Sequence, residues 1–317
     1  MATVVRFHRP GPPSVLQVED QDPGTPQAGQ VRLRQEAIGV NFIDTAFRDG
    51  SFNFPVPAVA GVEAAGVIEE IGPEVDGFTV GDRVAYFFAP GSYASERTVD
   101  ASVLVPLPDT ISAETSAAIL TKGITAWMGL RALHRLQAGE TILIQGATGG
   151  VGTLLASWAK ALGATVIGTG SADKLDRLEG ILDHAIASDD PELGIKVRSI
   201  APDGVDVVYE FVGRATFDAS IEAVRDGGTI LTIGAASGAP TPRQDMLEAR
   251  RISVARGSAA ASVTGDVLAT ASREVFDCLE KGVFGTPLIK RYALDEAARA
   301  HADVAARARD GFLVLIP

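Results

Sequence analysis

Residues 145–152 read QGATGGVG, with the apolar run TILI before them and the Ala-rich run TLLASWAKALG after. A backbone this bare between a buried strand and a helix suits one kind of chemistry. It lets a phosphate approach main-chain N–H groups at a helix N-terminus, where the helix carries partial positive charge. The dinucleotide fingerprint is G-x-G-x-x-G. In the aligned run Ala147 takes the place of the first glycine, Gly149 stands where the pyrophosphate meets the backbone, and Gly152 stands where the helix packs on the strand. Gly150 and Val151 lie between them, and Gly150 widens the bare surface. The alternative is a tight strand–helix turn that binds nothing; the strand before and the helix after favour the dinucleotide.

The end of the next strand selects the nucleotide. An NAD site usually carries Asp or Glu there, accepting from the ribose 2′-OH. Here ATVIGT is followed by Gly170, Ser171 and Ala172, with Lys174 close by. A carboxylate would repel a 2′-phosphate, whereas a hydroxyl and an ammonium attract one. NADPH is favoured, with Asp173 as the opposing feature and a solvated lysine on the next helix as the alternative for Lys174.

From residue 141 onward, strand-like runs alternate with helix-like ones. The strands are TILIQ, ATVIGT, HAIAS, VDVVYE, GTILTIG and ISVARG; between them lie helical readings that include ADKLDRLEG and ATFDASIEAVRDG. Short apolar strands separated by helices predict a parallel sheet covered on both faces, and six of them make a complete doubly wound sheet. Residues 1–110 differ: short alternating runs (VVRF, VRLRQEAIGV, AAGVIEEIG, DRVAYFF, LVPLP) are punctuated by Gly and Pro, an all-β barrel pattern. SAETSAAILTKGITAWMGLRAL reads as one or two helices joining the two regions. The fold expected is α/β, with a discontinuous β-rich domain of residues 1–120 and 258–317 and a Rossmann domain of residues 121–257 inserted into it.

The chain has 317 residues, 46% hydrophobic and 21% charged, with a formal charge of -12. Such acidity disfavours nucleic acid and anionic membrane surfaces as partners. No apolar run is long enough for a membrane helix, and the start, MATVVRFHRPGPP, lacks the apolar core of a signal peptide, so a cytoplasmic protein is expected. One cysteine, Cys278, rules out an internal disulfide and a Cys-rich metal site.

The chain resembles the zinc-independent quinone oxidoreductases, the zeta-crystallin-like branch of the medium-chain dehydrogenases/reductases. The motifs that carry the resemblance run nearly end to end: AIGVNFIDTAFRDG, GVEAAGVI, GDRVAY, LTKGITAW, ATGGVG, WAKALGATVIGT, VVYEFVG and the C-terminal LIP. The resemblance implies a GroES-like catalytic domain, an inserted Rossmann domain, NADPH in the cleft between them, and a homodimer. The dimer reading has a second basis, since ISVARG would otherwise leave an exposed sheet edge.

Zinc-dependent relatives ligate metal with an early Cys and with the His of a GHE motif. Those positions hold Asn41 and, in Gly61-Val62-Glu63, Val62, which cannot ligate. The four His (8, 134, 184 and 301) form no ligand-spaced cluster, so no catalytic metal is expected. Without a Lewis acid the chemistry suits an acceptor that is already electrophilic, a quinone or an α,β-unsaturated carbonyl, with alignment as the enzyme's main task.

The resemblance also assigns residues. Asn41 is expected to face the nicotinamide and acceptor, or else to cap a loop. Asp44 orients Asn41 or Lys122, or caps the helix of TAFRDG. Lys122 and Thr125, in LTKGITAW, border the nicotinamide, with a surface lysine as the alternative. Relatives offer a tyrosine within residues 46–52, where this chain has Ala46 and Phe52; Phe52 can enclose an acceptor ring but cannot donate a hydrogen bond, unless it is core filling. Ser188 replaces a tyrosine near the adenine phosphate. Arg307, with Arg309 as rival, matches a basic residue directed at the 2′-phosphate. The turns Val212-Gly213 and Ile233-Gly234-Ala235 are expected under the ribose and nicotinamide, where glycine permits close approach. Three functions follow: an NADPH-dependent quinone reductase first, a reductase of enals or enones second, and a non-catalytic NADPH-binding protein third.

Overall fold

The computed structural model describes residues 1–306 and 311–317. Arg307 and Arg309 therefore lie outside the described residues. The chain divides into two compact units: residues 1–121, 264–280 and 285–317 form one, residues 122–263 and 281–284 the other.

The first unit is β-rich. Its strands are β1 (Ala2–Phe7), β2 (Gln17–Gln21), β3 (Gln30–Gly39), β4 (Ala58–Val59), β5 (Ala64–Ile71), β6 (Arg83–Tyr86), β7 (Glu96–Asp100) and β8 (Leu104–Pro106), joined late in the chain by a further pair. β3 is the hub, pairing antiparallel with both β5 and β7. Its alternation of buried and less buried residues turns Val31, Leu33 and Ala37 into the core, as a period of two requires, and Ile38 at its end is buried as well. Gly39 ends β3, and the chain then turns into α1 (Phe42–Asp49). The unit later supplies the start of α2 (Ala113–Trp127).

The second unit holds β9 (Thr141–Gln145), α3 (Gly150–Ala161), β10 (Thr165–Gly170), β11 (His184–Ala187), α4 (Leu193–Ile200), β12 (Val205–Glu210), α5 (Phe217–Ala223), β13 (Val224–Thr232), α6 (Gln244–Ala249), β14 (Ser253–Arg256) and α7 (Ala259–Ser262). The six strands lie in the order β11-β10-β9-β12-β13-β14, and every pairing is parallel. This is the doubly wound sheet the alternation of runs predicts, and its strand order reverses beside β9, the strand that leads into the glycine loop. Ile142, Leu143, Ile144, Val207, Val208, Ile230 and Leu231 are fully buried, as a sheet covered on both faces demands. The chain then returns to the first unit through α8 (Gly265–Glu280), β15 (Ile289–Ala293), α9 (Ala297–Ala305) and β16 (Phe312–Ile316), and β16 pairs with β3.

Two local readings are corrected. ADKLDRLEG does not form an α-helix; Ala172–Leu178 is a 3-10 helix. Asp183, just beyond it, accepts the Val166 N–H at 2.8 Å and the Lys160 ammonium at 3.0 Å, which ties the end of this connection to the base of β10. The second correction concerns ATFDASIEAVRDG. Its helix stops at Ala223 because β13 already begins at Val224, opposite Val205. The register then jumps from Val205 to Val207 on one side and from Val224 to Thr229 on the other, so Arg-Asp-Gly-Gly is an insertion in the strand.

Candidate active site and nucleotide loop

The candidate nucleotide loop is built from backbone. Gly149 is the N-cap of α3, extended at φ -79 and ψ 165, and no described side chain caps the helix there. A Cβ added to Gly149 would meet only the Gly146 carbonyl oxygen, at 3.2 Å, so its outer side is open. Gly152 is different. An added Cβ would overlap the Gly146 carbonyl oxygen and lie 2.8 Å from Ala147 Cα, so this glycine lets α3 press on the strand end. Gly150 and Val151 are half-buried in the first turn of the helix. Thr153 Oγ1 donates to the carbonyls of Ala147 and Gly149, which fixes the turn from behind.

At the end of β10, Gly170 sits under Thr148, whose Cβ an added side-chain carbon would approach to 3.1 Å. Ser188 N–H donates to the Gly170 carbonyl, and Lys174 N–H to the Ser171 carbonyl. Gly170, Ser171, Lys174 and Ser188 are thus brought together beyond the carboxyl edge of the sheet. The 3-10 geometry adds a residue that sequence reasoning missed. Side chains three apart eclipse in such a helix, so Arg177 follows Lys174 along one edge, with Ser171 at its N-cap. The signal lies in the spacing of 171, 174 and 177, but only for a period of three.

The other two turns carry glycines for a different reason. Gly213 has φ +92, and a Cβ there would overlap the Gly238 carbonyl. A Cβ on Gly234 would lie 2.9 Å from Phe211 Cα. Both glycines are required by packing of the chain on itself, and Val212, Ile233 and Ala235 flank these contacts. The Val212–Gly213 turn hangs on a residue that sequence reasoning did not single out, Glu210. Its fully buried carboxylate accepts from Val212 N and Gly213 N at 2.8 Å each, from Thr216 Oγ1 at 2.9 Å and from Ser220 Oγ at 2.8 Å. Burial raises its pKa, against the pull of these donors. The chain of bonds continues from Gln145 Nε2 to Ser220 Oγ, from Thr169 Oγ1 to Gln145 Oε1, and from Gly146 N to Thr169 Oγ1. One polar network thus runs beneath the strand ends from Gly146 to Gly213.

In the first unit, the site is built from side chains. Asn41 precedes α1 and is buried. Its N–H donates to Asp44 Oδ2 at 2.8 Å, and its side-chain Nδ2 donates to Glu63 Oε1 at 2.7 Å. Asp44 is the helix-capping carboxylate of α1, one of the readings open for it, and the Tyr93 hydroxyl also reaches it at 3.3 Å. Behind Tyr93 stands His301 of α9, with Nε2 at 2.9 Å; burial holds this imidazole neutral, its pKa down to about 3. Lys122 and Thr125 belong to the second unit, on the later part of α2, Lys122 buried and Thr125 half-buried, so Lys122 is not a surface lysine.

Phe52 is 50% exposed, so it is not core filling. Its N–H donates to the Ala46 carbonyl. Its ring meets Phe47 edge-on at 6.5 Å, Phe47 stacks on Phe54 at 4.4 Å, and Phe88 meets Phe47 edge-on at 6.4 Å. Phe88 is held at φ +52, a conformation that costs a side-chain-bearing residue about 1–2 kcal/mol. Among the described residues, no group of three or more His, Cys, Asp or Glu is placed to hold a metal ion. No described helix is long and apolar enough to cross a membrane.

Comparison with known proteins places this geometry. Residues 27–109 match the family described as alcohol dehydrogenase GroES-like domain, and residues 150–280 match the one described as zinc-binding dehydrogenase. A quinone oxidoreductase of Pseudomonas aeruginosa is 38% identical, with 100% of each chain covered. A 2-haloacrylate reductase of a Burkholderia species is 36% identical, covering 100% of this chain and 99% of the relative. The crystal structure of Escherichia coli quinone oxidoreductase complexed with NADPH superposes with a TM-score of 0.95 at 35% identity, over 99% of this chain and 100% of the other. With matching motifs, GroES-like and Rossmann units and full-length similarity together, the chain belongs to the quinone oxidoreductase family of the medium-chain dehydrogenases/reductases.

Proposed function

We propose that this protein is an NADPH-dependent reductase of quinones that works without a catalytic metal. The observation that carries the reading is what occupies the ligand positions of zinc-dependent relatives: Val62, a fully buried apolar side chain, and Asn41, an amide engaged with Glu63. Both oxygens of Glu63 accept from N–H donors, Oε1 from Asn41 and Oε2 from Thr121 at 2.8 Å, so its carboxylate is committed to hydrogen bonds. These residues do not fit the zinc site that one matching family description names.

The nucleotide loop fits the diphosphate of NADPH, with open space above Gly149 and an uncapped first turn of α3. Ser171, Lys174 and Arg177 supply the hydroxyl and the cations that a 2′-phosphate needs. The NADPH complex of the Escherichia coli relative supports the same nucleotide. NADPH, when bound, supplies hydride to an acceptor that is already electrophilic. The chain's own part is positioning: the Asn41 amide orients the acceptor oxygen, and the rings of Phe52, Phe47 and Phe88 offer an apolar face to a flat acceptor. The aromatic face favours a larger quinone over benzoquinone.

The 2-haloacrylate reductase relative favours a second reading, reduction of α,β-unsaturated aldehydes or ketones. Following NADPH oxidation with phenanthrenequinone, benzoquinone and an alkenal in parallel separates the two. Turnover of the quinones supports the first reading and turnover of the alkenal alone supports the second. NADPH binding without turnover of any of them would make this a nucleotide-binding protein with no catalytic role. We propose a homodimer as well, paired through β14, which among the described strands bonds only to β13 and exposes Ser253, Val254 and Arg256. Light scattering at the monomer mass would remove that proposal.

A further inference from the structure

We propose that Glu63 is a positioning residue for the reaction: its carboxylate fixes which way the Asn41 amide faces. This rests on the assignment of Asn41 to the acceptor site made above. Glu63 lies just before β5, fully buried. A carboxylate only accepts, so the Asn41 atom 2.7 Å from Oε1 is the amide nitrogen, and the orientation of the whole amide plane follows. The other oxygen accepts from the backbone N–H of Thr121, in the body of α2. Glu63 therefore braces the segment entering α1 against α2 through the Asn41 side chain.

The fold leaves room for this carboxylate. Gly39, which ends β3, donates its N–H to the Glu63 carbonyl, and a Cβ at Gly39 would overlap both Glu63 Oε1 and the Ala117 carbonyl. A buried carboxylate is costly unless its acceptors are filled. Among the donors filling it are an amide and a backbone N–H, and neither can become an acceptor unless Asn41 turns over. Glu63→Gln keeps size and shape but forces a choice. Either an NH2 faces the Thr121 N–H, or the Asn41 amide flips to present oxygen where nitrogen stood.

The test is a double-mutant cycle of Glu63→Gln and Asn41→Ala, run with whichever acceptor the wild-type protein reduces. In the Asn41 background, Glu63→Gln is expected to lower kcat about 10- to 100-fold, as a misplaced hydrogen-bonding group does, while the NADPH Kd stays within about twofold. In the Asn41→Ala background the same substitution should change kcat by less than about twofold, because the group it acts through is gone. Equal losses in both backgrounds, or an unchanged kcat in Glu63→Gln alone, would overturn the proposal. If Glu63→Gln does not fold, Glu63→Asp decides: its carboxylate is one methylene shorter and draws back from Asn41 Nδ2, so kcat should fall in the Asn41 background and change by less than about twofold in the Asn41→Ala background. Equal losses in both backgrounds would overturn the proposal. Wild-type protein that reduces alkenals but not quinones would refute the quinone reading and leave the cycle fully readable. Wild-type protein that reduces neither would remove Asn41 as an acceptor group and this proposal with it.

Discussion

Glu63 and Glu210 are both carboxylates with no exposed surface, one in each unit, and each is filled by hydrogen-bond donors. They differ in what they hold. Glu210 holds backbone: the Val212–Gly213 turn and, through Ser220, Gln145 and Thr169, the start of the glycine loop. Glu63 holds a side chain that meets the acceptor in the proposed reaction. In the proposed reading the second unit presents main chain to the diphosphate of the nucleotide, whereas the first presents functional groups whose orientation matters. Substitutions should separate the two kinds of site. Where backbone does the binding, adding atoms should harm more than deleting side chains; where side chains do it, the reverse should hold.

The largest effect is expected at Gly149. Gly149→Val places two methyls over the open side of the turn, and NADPH affinity should fall more than about 100-fold, since direct obstruction removes the whole diphosphate contact. The one close neighbour of the new Cβ is the Gly146 carbonyl at 3.2 Å, so the melting temperature should shift by only a few degrees, about 1 kcal/mol or less. Titration by nucleotide fluorescence and a melting curve measure the two quantities. Retained affinity would show that the phosphates rest elsewhere. Gly152→Ala serves as the contrast, because its Cβ meets backbone and should cost stability as well as binding.

Next in size is the edge of Lys174 and Arg177, where the second unit does use side chains. Losing a charged hydrogen bond costs about 1.5–3 kcal/mol, so alanine at both positions should weaken NADPH about 10- to 100-fold and leave NADH nearly unchanged. An equal loss for both nucleotides would remove these residues from the 2′-phosphate. In the first unit, Phe52→Ala should lower kcat/KM for phenanthrenequinone about 3- to 10-fold, within the range of an aromatic contact, and that for benzoquinone less.

The same division governs what the sequence makes legible. Strand β9, the glycine loop and α3 are local, so the periodicity and spacing of TILIQGATGGVG display them directly, and the six parallel strands follow from the alternation of runs. The 3-10 helix at Ala172–Leu178 is not legible, because KLDRLE has good helix propensity and nothing in the local sequence marks the tighter turn that it takes in the fold. The reason for Gly213 and Gly234 is hidden in the same way, since the atoms that crowd them belong to Gly238 and Phe211. Glu63 stands in GVE as the last letter of a metal motif this chain lacks, and only the fold shows that its carboxylate meets Asn41. Side-chain sites assembled from distant segments are read late; backbone sites confined to one turn are read early.

The smallest effect sharpens the comparison most. Glu63→Gln should be costly because it must either set an NH2 against the Thr121 N–H or turn the Asn41 amide over, but Glu210→Gln has an escape. In that variant the new amide oxygen can keep the Val212 and Gly213 N–H groups, and the new NH2 then faces Ser220 Oγ, whose proton can turn to the Thr216 carbonyl 3.1 Å away. Stability should therefore stay within about 1 kcal/mol of wild type, and NADPH affinity within about twofold. The pH dependence carries the sign. Burial raises the folded-state pKa of Glu210 above the ordinary 4.5, so the folded protein takes up this proton at a higher pH than the unfolded chain does. Above the raised value the ionised group costs stability that glutamine does not. As pH falls through it toward 4.5, wild type gains relative to the variant, and the difference in unfolding free energy should shift steadily in favour of wild type. Urea unfolding of both proteins at several pH values measures that difference. A trend in the opposite direction would mean that the four donors outweigh burial and hold Glu210 below the ordinary carboxylate range.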